Sequence, residues 1–157
     1  MEFKCLRCGN CCRNLVGRRI GNWQGGLFLL PSEIHRFPQE LVLPLYRNHE
    51  HITAHQFTGK DCPHLQKGIC SLYNNRRPVA CGAYPLERLR LPGICLDTVA
   101  GECSFVQKHP DNISFPRGII WAAEFLCTYI LVNMPSAAYD LQNGNWRTVA
   151  EILENMA

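Results

Sequence analysis

The strongest hydrophobic pattern lies in the C-terminal third, where "GIIWAAEFLCTYILVNMP" is apolar on nearly every side of a helix. It predicts a helix over residues 116–133, with Pro116 in its first turn and Pro135 stopping it. A helix apolar all round must be buried in a core or against a partner. The closing "NWRTVAEILENMA" predicts another helix, capped by Asn145, with Trp146, Val149, Ala150, Leu153 and Met156 on one face. Nearer the N-terminus, "LFLLPSEIHRF" predicts a short strand, then a helix capped by Ser32 and ended by Pro38. "QELVLPLYRN" predicts one or two further helical turns. Residues 1–26 read as coil, broken by Gly9, Gly17, Gly21, Gly25 and Gly26. Residues 58–104 hold prolines, glycines and cysteines with little apolar periodicity. Little regular structure is expected there, and something other than a core must order it.

Composition narrows the class. A chain of 157 residues with 46% hydrophobic content can bury a core. A net charge of +3, with 18% of residues charged, is too mild to argue for nucleic acid. Aromatic and basic residues do not interleave densely, which also disfavours a nucleic-acid partner. The stretch Met1–Arg19 is polar and basic with no apolar run, so no export signal is expected. The longest apolar segment is interrupted by Glu124 and falls short of the ~20 residues that span a bilayer. A cytoplasmic protein without a membrane span is the expectation.

In that compartment ten cysteines are not expected to form disulfides. Their even number permits pairing. The chain length and the adjacent Cys11 and Cys12 argue against it, because disulfide geometry constrains both Cα separation and Cβ direction. Free buried thiols are the second alternative, and a run as hydrophilic as "KCLRCGNCCR" argues against that. Metal ligation is the third. Thiolates at two-residue gaps let the chain wrap an ion, as in Cys5, Cys8 and Cys11, with Cys12 following directly. Further along stand Cys62, Cys70, Cys81 and Cys103. A tetrahedral ion or a cubane cluster takes four thiolates, so eight suggest two sites. In an extended segment Cys11 and Cys12 would point to opposite sides and serve different sites.

The opening CxxCxxCC, joined to "CPHLQKGICSLYNNRRPVACGAYP" and a later cysteine, resembles the YkgJ-type cysteine-cluster family over residues 5–103. The resemblance implies a zinc- or iron-chelating domain, with Cys5, Cys8, Cys11, Cys12, Cys62, Cys70, Cys81 and Cys103 as the matching positions. The gap from Cys70 to Cys81 is one residue longer than the family's usual spacing. Relatives include flagellin lysine N-methylase and proteins labelled iron–sulfur oxidoreductases. Cys95 and Cys127 lie outside the pattern; Cys127 is expected in the core of its helix, and Cys95 is left unassigned.

Spacing alone does not choose between iron and zinc. The compact three-cysteine wrap with a distant fourth favours at least one [4Fe–4S] cluster, with a second four-thiolate site holding iron–sulfur or zinc. Zinc alone is the alternative. Arg7, Arg13, Arg18, Arg19, Arg76, Arg77 and Arg88 would offset thiolate charge or form a solvated face. Tyr73 and Tyr84 are expected to pack round the site. His49, His51 and His55 are expected as an exposed cluster and not a metal trio.

The predicted fold is thus a small α+β single domain over 1–157. An irregular cysteine-rich metal-binding part over 1–104 is braced by a helical part over 105–157. The predicted function is a redox or metalloenzyme-accessory protein that docks a protein partner through its C-terminal helices. A methyltransferase-like enzyme and a structural zinc module for protein or RNA binding are the alternatives. No residue is assigned a catalytic role.

Overall fold

The structure, a computed structural model, describes residues 1–13, 19–20, 23–24, 26–48, 50–74, 76–91, 94–133, 137–140 and 145–148. It is an α+β arrangement of small antiparallel sheets and one long helix. Strands β1 (Arg19–Ile20) and β2 (Trp23–Gln24) form a two-stranded ribbon. Strands β3 (Leu27–Leu29), β4 (Val42–Asn48) and β5 (His51–Phe57) form the largest sheet, with β5 in the centre.

The predicted strand at "LFL" is present. The helix predicted after it is only a 3-10 turn, Ile34–Arg36, with no side-chain cap from Ser32. "QELVLPLYRN" gives a single 3-10 turn, Gln39–Leu41, and then extends into β4. Its Val, Leu and Tyr residues suit a pleated surface better than an isolated helical turn. Pro44 is tolerated because β4 is an edge strand, and the register shifts just after it.

Residues 58–104 are more regular than their pattern suggests. Strands β6 (Leu65–Gln66) and β7 (Ile69–Cys70) pair across a two-residue turn. Both turn residues, Lys67 at φ 50° and Gly68 at φ 78°, are left-handed, which matches strand twist in a tight hairpin. Helix α1 (Val79–Ala83) follows, then the hairpin of β8 (Leu86–Leu91) and β9 (Ile94–Val99). Short hairpins escape a periodicity search because two to six residues give too few repeats to register.

Helix α2 (Ser104–Lys108) leads to α3 (Arg117–Asn133), the predicted apolar helix. Its buried stripe is Ala122, Ala123, Cys127 and Ile130, so Cys127 is a core residue as expected. Ala122 and Ala123 pack on Ala83 and Leu86, whereas Ile130 packs on Ala54 of β5. Tyr129 donates a 2.7 Å hydrogen bond to the Thr53 carbonyl, and Thr53 Oγ1 donates to the Asn133 carbonyl at 3.0 Å. The sheet therefore satisfies the helix's last carbonyl, that of Asn133.

The predicted closing helix is not formed at its start. Asn145–Thr148 is a strand, β11, paired with β10 (Ala137–Asp140). Four residues of β-ladder override the single Asn cap that suggested a helix there. Val149, Ala150, Leu153 and Met156 lie outside the described residues.

Glu33 pins the cysteine-bearing α1 to this frame. The residue is buried, and its two carboxylate oxygens accept separate backbone bonds, from Leu30 N at 3.0 Å and Val79 N at 2.8 Å. Glu33→Gln keeps one acceptor and turns an amide donor toward the other N–H. It is expected to cost about 1–3 kcal/mol of unfolding free energy. Urea denaturation with an unchanged midpoint would show that this peg carries no stability.

Candidate metal centre

The eight cysteines reach one place by four routes. Cys5 and Cys8 lie in the loop after Phe3, and Cys11 and Cys12 in the 3-10 turn Asn10–Cys12. Cys62 precedes β6 and Cys70 ends β7. Cys81 sits within α1, and Cys103 is the residue before α2. All eight line a single cavity of about 90 Å³.

Local backbone geometry explains the convergence. Gly9, at φ 74°, lets the N-terminal loop turn against the β6–β7 hairpin. A Cβ there would stand 3.0 Å from Leu65 Cδ1 and 3.1 Å from the Gly68 carbonyl oxygen. The Cys62 N–H then donates to the Cys12 carbonyl at 2.7 Å, which ties the two cysteine blocks together. The Phe3 N–H donates to the Ser114 carbonyl at 2.8 Å, and Phe3 packs with Cys103 and Phe105 to close the far side.

Backbone donors point at the sulfurs two residues behind them. The Arg7 N–H donates to Cys5 Sγ at 3.4 Å, from a residue in the left-handed region at φ 52°. The Asn10 N–H does the same for Cys8, and the His64 N–H for Cys62, where Leu65 adds another. Such N–H···S bonds favour thiolate over thiol, which is the form that ligates metal. Ser104 Oγ adds a 3.2 Å bond to Cys8 Sγ. Asn10 Nδ2 donates to that hydroxyl at 2.9 Å, leaving its proton for the sulfur.

Five of the thiols are shifted, three downward and two upward. Cys11 is lowered to about 7 and Cys62 to about 6, both first by a hydrogen bond from the Cys12 side chain. Cys12 is pushed far up by those same two bonds and by burial. Burial, with the nearby charges of Cys62, Cys11 and Cys70, raises Cys81, whose sulfur is enclosed although the residue keeps some surface. At Cys8, burial pushes up, but the Ser104 and Asn10 bonds outweigh it and the net shift is downward. Because Cys11 and Cys12 lie on a 3-10 turn, their sulfurs do not diverge as an extended segment would make them; they bond to each other. Among the described residues, no three His, Cys, Asp or Glu side chains close tightly round one point. The thiols ring a chamber.

The arginines and tyrosines near the cysteines take defined places. Arg7 and Arg77 each lie over the Tyr73 ring, at 4.4 and 4.5 Å from its centroid. Arg13 Nη1 donates to the Cys8 carbonyl at 3.4 Å. Tyr84 lines the chamber, and its hydroxyl is buried without a hydrogen-bond partner. Burial raises its pKa, and Glu102, Cys103, Cys11 and Cys8 add to the shift, so the phenol stays neutral and able to donate. An orphaned buried hydroxyl among thiols fits a chamber built to hold sulfur-ligated metal.

Of the remaining candidates, Cys95 is paired through its backbone with Arg90 in the β8–β9 hairpin. The side chains of Cys95, Arg19 and Arg88, and all of Arg18 and His49, lie outside what the structure describes. His51 is exposed, while His55 is half-buried with Nδ1 lacking a partner among the described residues. Four residues apart on β5, their Cα atoms stand about 13 Å apart, too far to share an ion. The sequence reading missed Glu33, Asn10 and Ser104. No cysteine pattern points to them, since each acts through a fold contact across many residues.

The orphaned phenol gives an asymmetric expectation. Tyr84→Phe should leave the metal-free protein as stable or more so, because it removes an unpaired buried group. In metal-loaded protein it should weaken metal retention by about 1–3 kcal/mol, measured by competition with a chelator. Equal destabilisation of both forms in urea would overturn this role.

Residues 4–116 match the family model "CxxCxxCC: Putative zinc- or iron-chelating domain". No match is found among curated proteins or among solved structures. The matched range holds all eight cysteines of the chamber and stops at the residue before α3. It covers well over half of the chain, which therefore belongs to the CxxCxxCC family of zinc- or iron-chelating domains.

Proposed function

We propose that the chamber holds two adjacent four-thiolate metal centres and that the protein works as a cytoplasmic redox or metalloenzyme-accessory factor. The observation that carries this reading is the gathering of eight thiols round one cavity, with N–H donors already set on Cys5, Cys8 and Cys62. Cys5, Cys8, Cys11 and Cys103 form the first ligand set, on the α2 side. Cys12, Cys62, Cys70 and Cys81 form the second, on the side of the β6–β7 hairpin. A [4Fe–4S] cluster suits the first set, whose three close cysteines and distant fourth match a cubane wrap. Bound there, a cluster supplies one-electron transfer to a protein partner. The chain's residues hold the thiolates, donate to their sulfur and shield them with Phe3, Phe105 and Tyr84.

Zinc has one observation in its favour. Cys62 and Cys70 stand on either side of a tight hairpin turn that brings both thiols to the chamber, and a tetrahedral ion can take two of its four thiolates from such a turn. The second set therefore suits zinc as well as iron–sulfur. No residue is proposed as catalytic, and a methyltransferase-like activity gains no support from the chamber's lining.

Anaerobic purification followed by iron, acid-labile sulfide and zinc analysis tests the assignment. Iron and sulfide with broad visible absorption are expected; a colourless protein with two zinc ions would eliminate the redox reading. Cys5→Ser and Cys70→Ser should each remove about half of the metal. If either empties both sets, the centres are not separate.

Metal removal should also loosen the cysteine part selectively. Among the described side chains of residues 58–104 the buried apolar ones are few, Ala83, Leu86 and Ala100 among them, so ligand bonds must replace packing there. Amide exchange should quicken across β6–β7 on chelation while α3 stays protected. Unchanged protection of that hairpin would show that it folds without metal.

A further inference from the structure

A second cavity, of about 680 Å³, opens beside the cysteine chamber and shares part of its wall, Cys5, Arg7, Tyr73 and Arg77 included. Lys4, Arg7, Arg76 and Arg77 line it, and among the described residues no Asp or Glu does. The cations are held in place. The guanidinium groups of Arg7 and Arg77 both lie over the Tyr73 ring, at 4.4 and 4.5 Å from its centroid, which restrains both cations at the edge of the groove. The Arg76 carbonyl accepts a bond from Arg36 Nη1, anchoring the loop that carries Arg76 and Arg77. Gly118, in the first turn of the seventeen-residue α3, also lines the groove, and a Cβ there would meet nothing within 4 Å. The helix's positive end thus adds to the four side-chain charges.

The same groove has an aromatic wall. Trp121 is 64% exposed, an unusual position for so large an apolar ring. It stacks on Phe125 at 5.4 Å and 24°, which holds the indole while much of it faces solvent. Val79, Ile119 and Ala122 complete an apolar floor. The volume falls in the range of small-molecule sites, about 300–1,000 Å³.

We propose that this groove binds an organic polyanion with a flat ring, of the nucleoside polyphosphate class. The phosphates lie against Lys4, Arg7, Arg76 and Arg77, and the ring stacks on Trp121. The ligand would reach the rim of the chamber at Cys5. This inference stands independently of which metal the chamber holds.

Calorimetric titration of the purified, metal-containing protein with ATP, and separately with inorganic pyrophosphate, tests it. Saturable binding of both is expected. Arg76→Glu should weaken both at least tenfold, with Lys4→Glu as the second variant if the first does not fold. Trp121→Ala should weaken ATP about tenfold, the scale of one lost base stack, and leave pyrophosphate unchanged. Metal content, measured after each titration, should stay constant in all variants. The proposal fails if neither probe saturates, or if Arg76→Glu changes nothing. It fails equally if ATP merely strips metal, or if a single-stranded RNA oligonucleotide displaces ATP at equal nucleotide concentration. Protein that carries no metal after anaerobic purification, yet binds ATP, would refute the metal reading alone. Protein that keeps its metal but binds neither probe would refute the groove alone.

Discussion

Eight thiols round one small cavity cannot all ionise unless something positive enters among them. Two unit charges about 4 Å apart repel by roughly 4 kcal/mol at the effective dielectric near a protein surface. The chamber meets this constraint by sharing protons. Cys12 stays a thiol and donates to Cys11 and Cys62, whose ionised forms gain what Cys12 loses. Burial first, and then the charge of neighbouring sulfurs, favours the thiol form at Cys81. A cation bound to the sulfurs would release these protons and replace S–H···S bonds with ligand bonds. The rest of the architecture can be understood as holding these sulfurs close against their repulsion.

That holding comes from several elements, none of them strong alone. The left-handed Gly9 sets the N-terminal loop on the β6–β7 hairpin, and the Cys12–Cys62 backbone bond locks it there. Glu33 fixes α1, and with it Cys81, to the segment that follows β3. Helix α3 backs α1 through alanines, with Ala122 and Ala123 packed on Ala83, and a Cβ on Gly82 would make ordinary contact with the Ala122 methyl at 3.6 Å. Small residues at this seam let the helix sit near the chamber without filling it. Cysteine positions are thereby referred to the three-stranded sheet, the best-packed part of the fold through Leu29, Ala54 and Phe57.

The sequence made the α+β class, the cysteine set and α3 legible, because each rests on a long or dense signal. Twelve apolar residues among the seventeen of α3, broken only singly after Ile119, make the helix over 117–133 plain. Four cysteines in eight positions are similarly insistent. What escaped were short hairpins and single contacts. The turn at Lys67–Gly68 has the right chemistry for a hairpin, yet only two residues flank it on each side. Ser104 touches Cys8 across ninety-six positions of chain, and nothing local announces such a bond. The expected divergence of Cys11 and Cys12 assumed an extended backbone, whereas Gly9 starts a 3-10 turn that brings the two sulfurs together.

Helix α3 shows why apolar pattern and burial are different quantities. Its sequence is apolar all round, but its buried stripe takes only Ala122, Ala123, Cys127 and Ile130. Trp121, Phe125, Leu131 and Val132 keep from 38% to 68% of their surface. Trp121, Phe125 and Tyr129 stack in series along one side of the helix, with ring centroids 5.4 and 6.3 Å apart. Stacking at four-residue spacing shields each ring with the next, so part of the hydrophobic gain is recovered within the helix itself. The largest ring stands at the N-terminal end of this series, where the row meets the basic groove. An indole fixed from behind and flanked by cations can stack on an incoming ring with little loss of side-chain entropy. The helix that braces the cysteine chamber on one face therefore supplies, on another, the aromatic wall of its neighbouring groove.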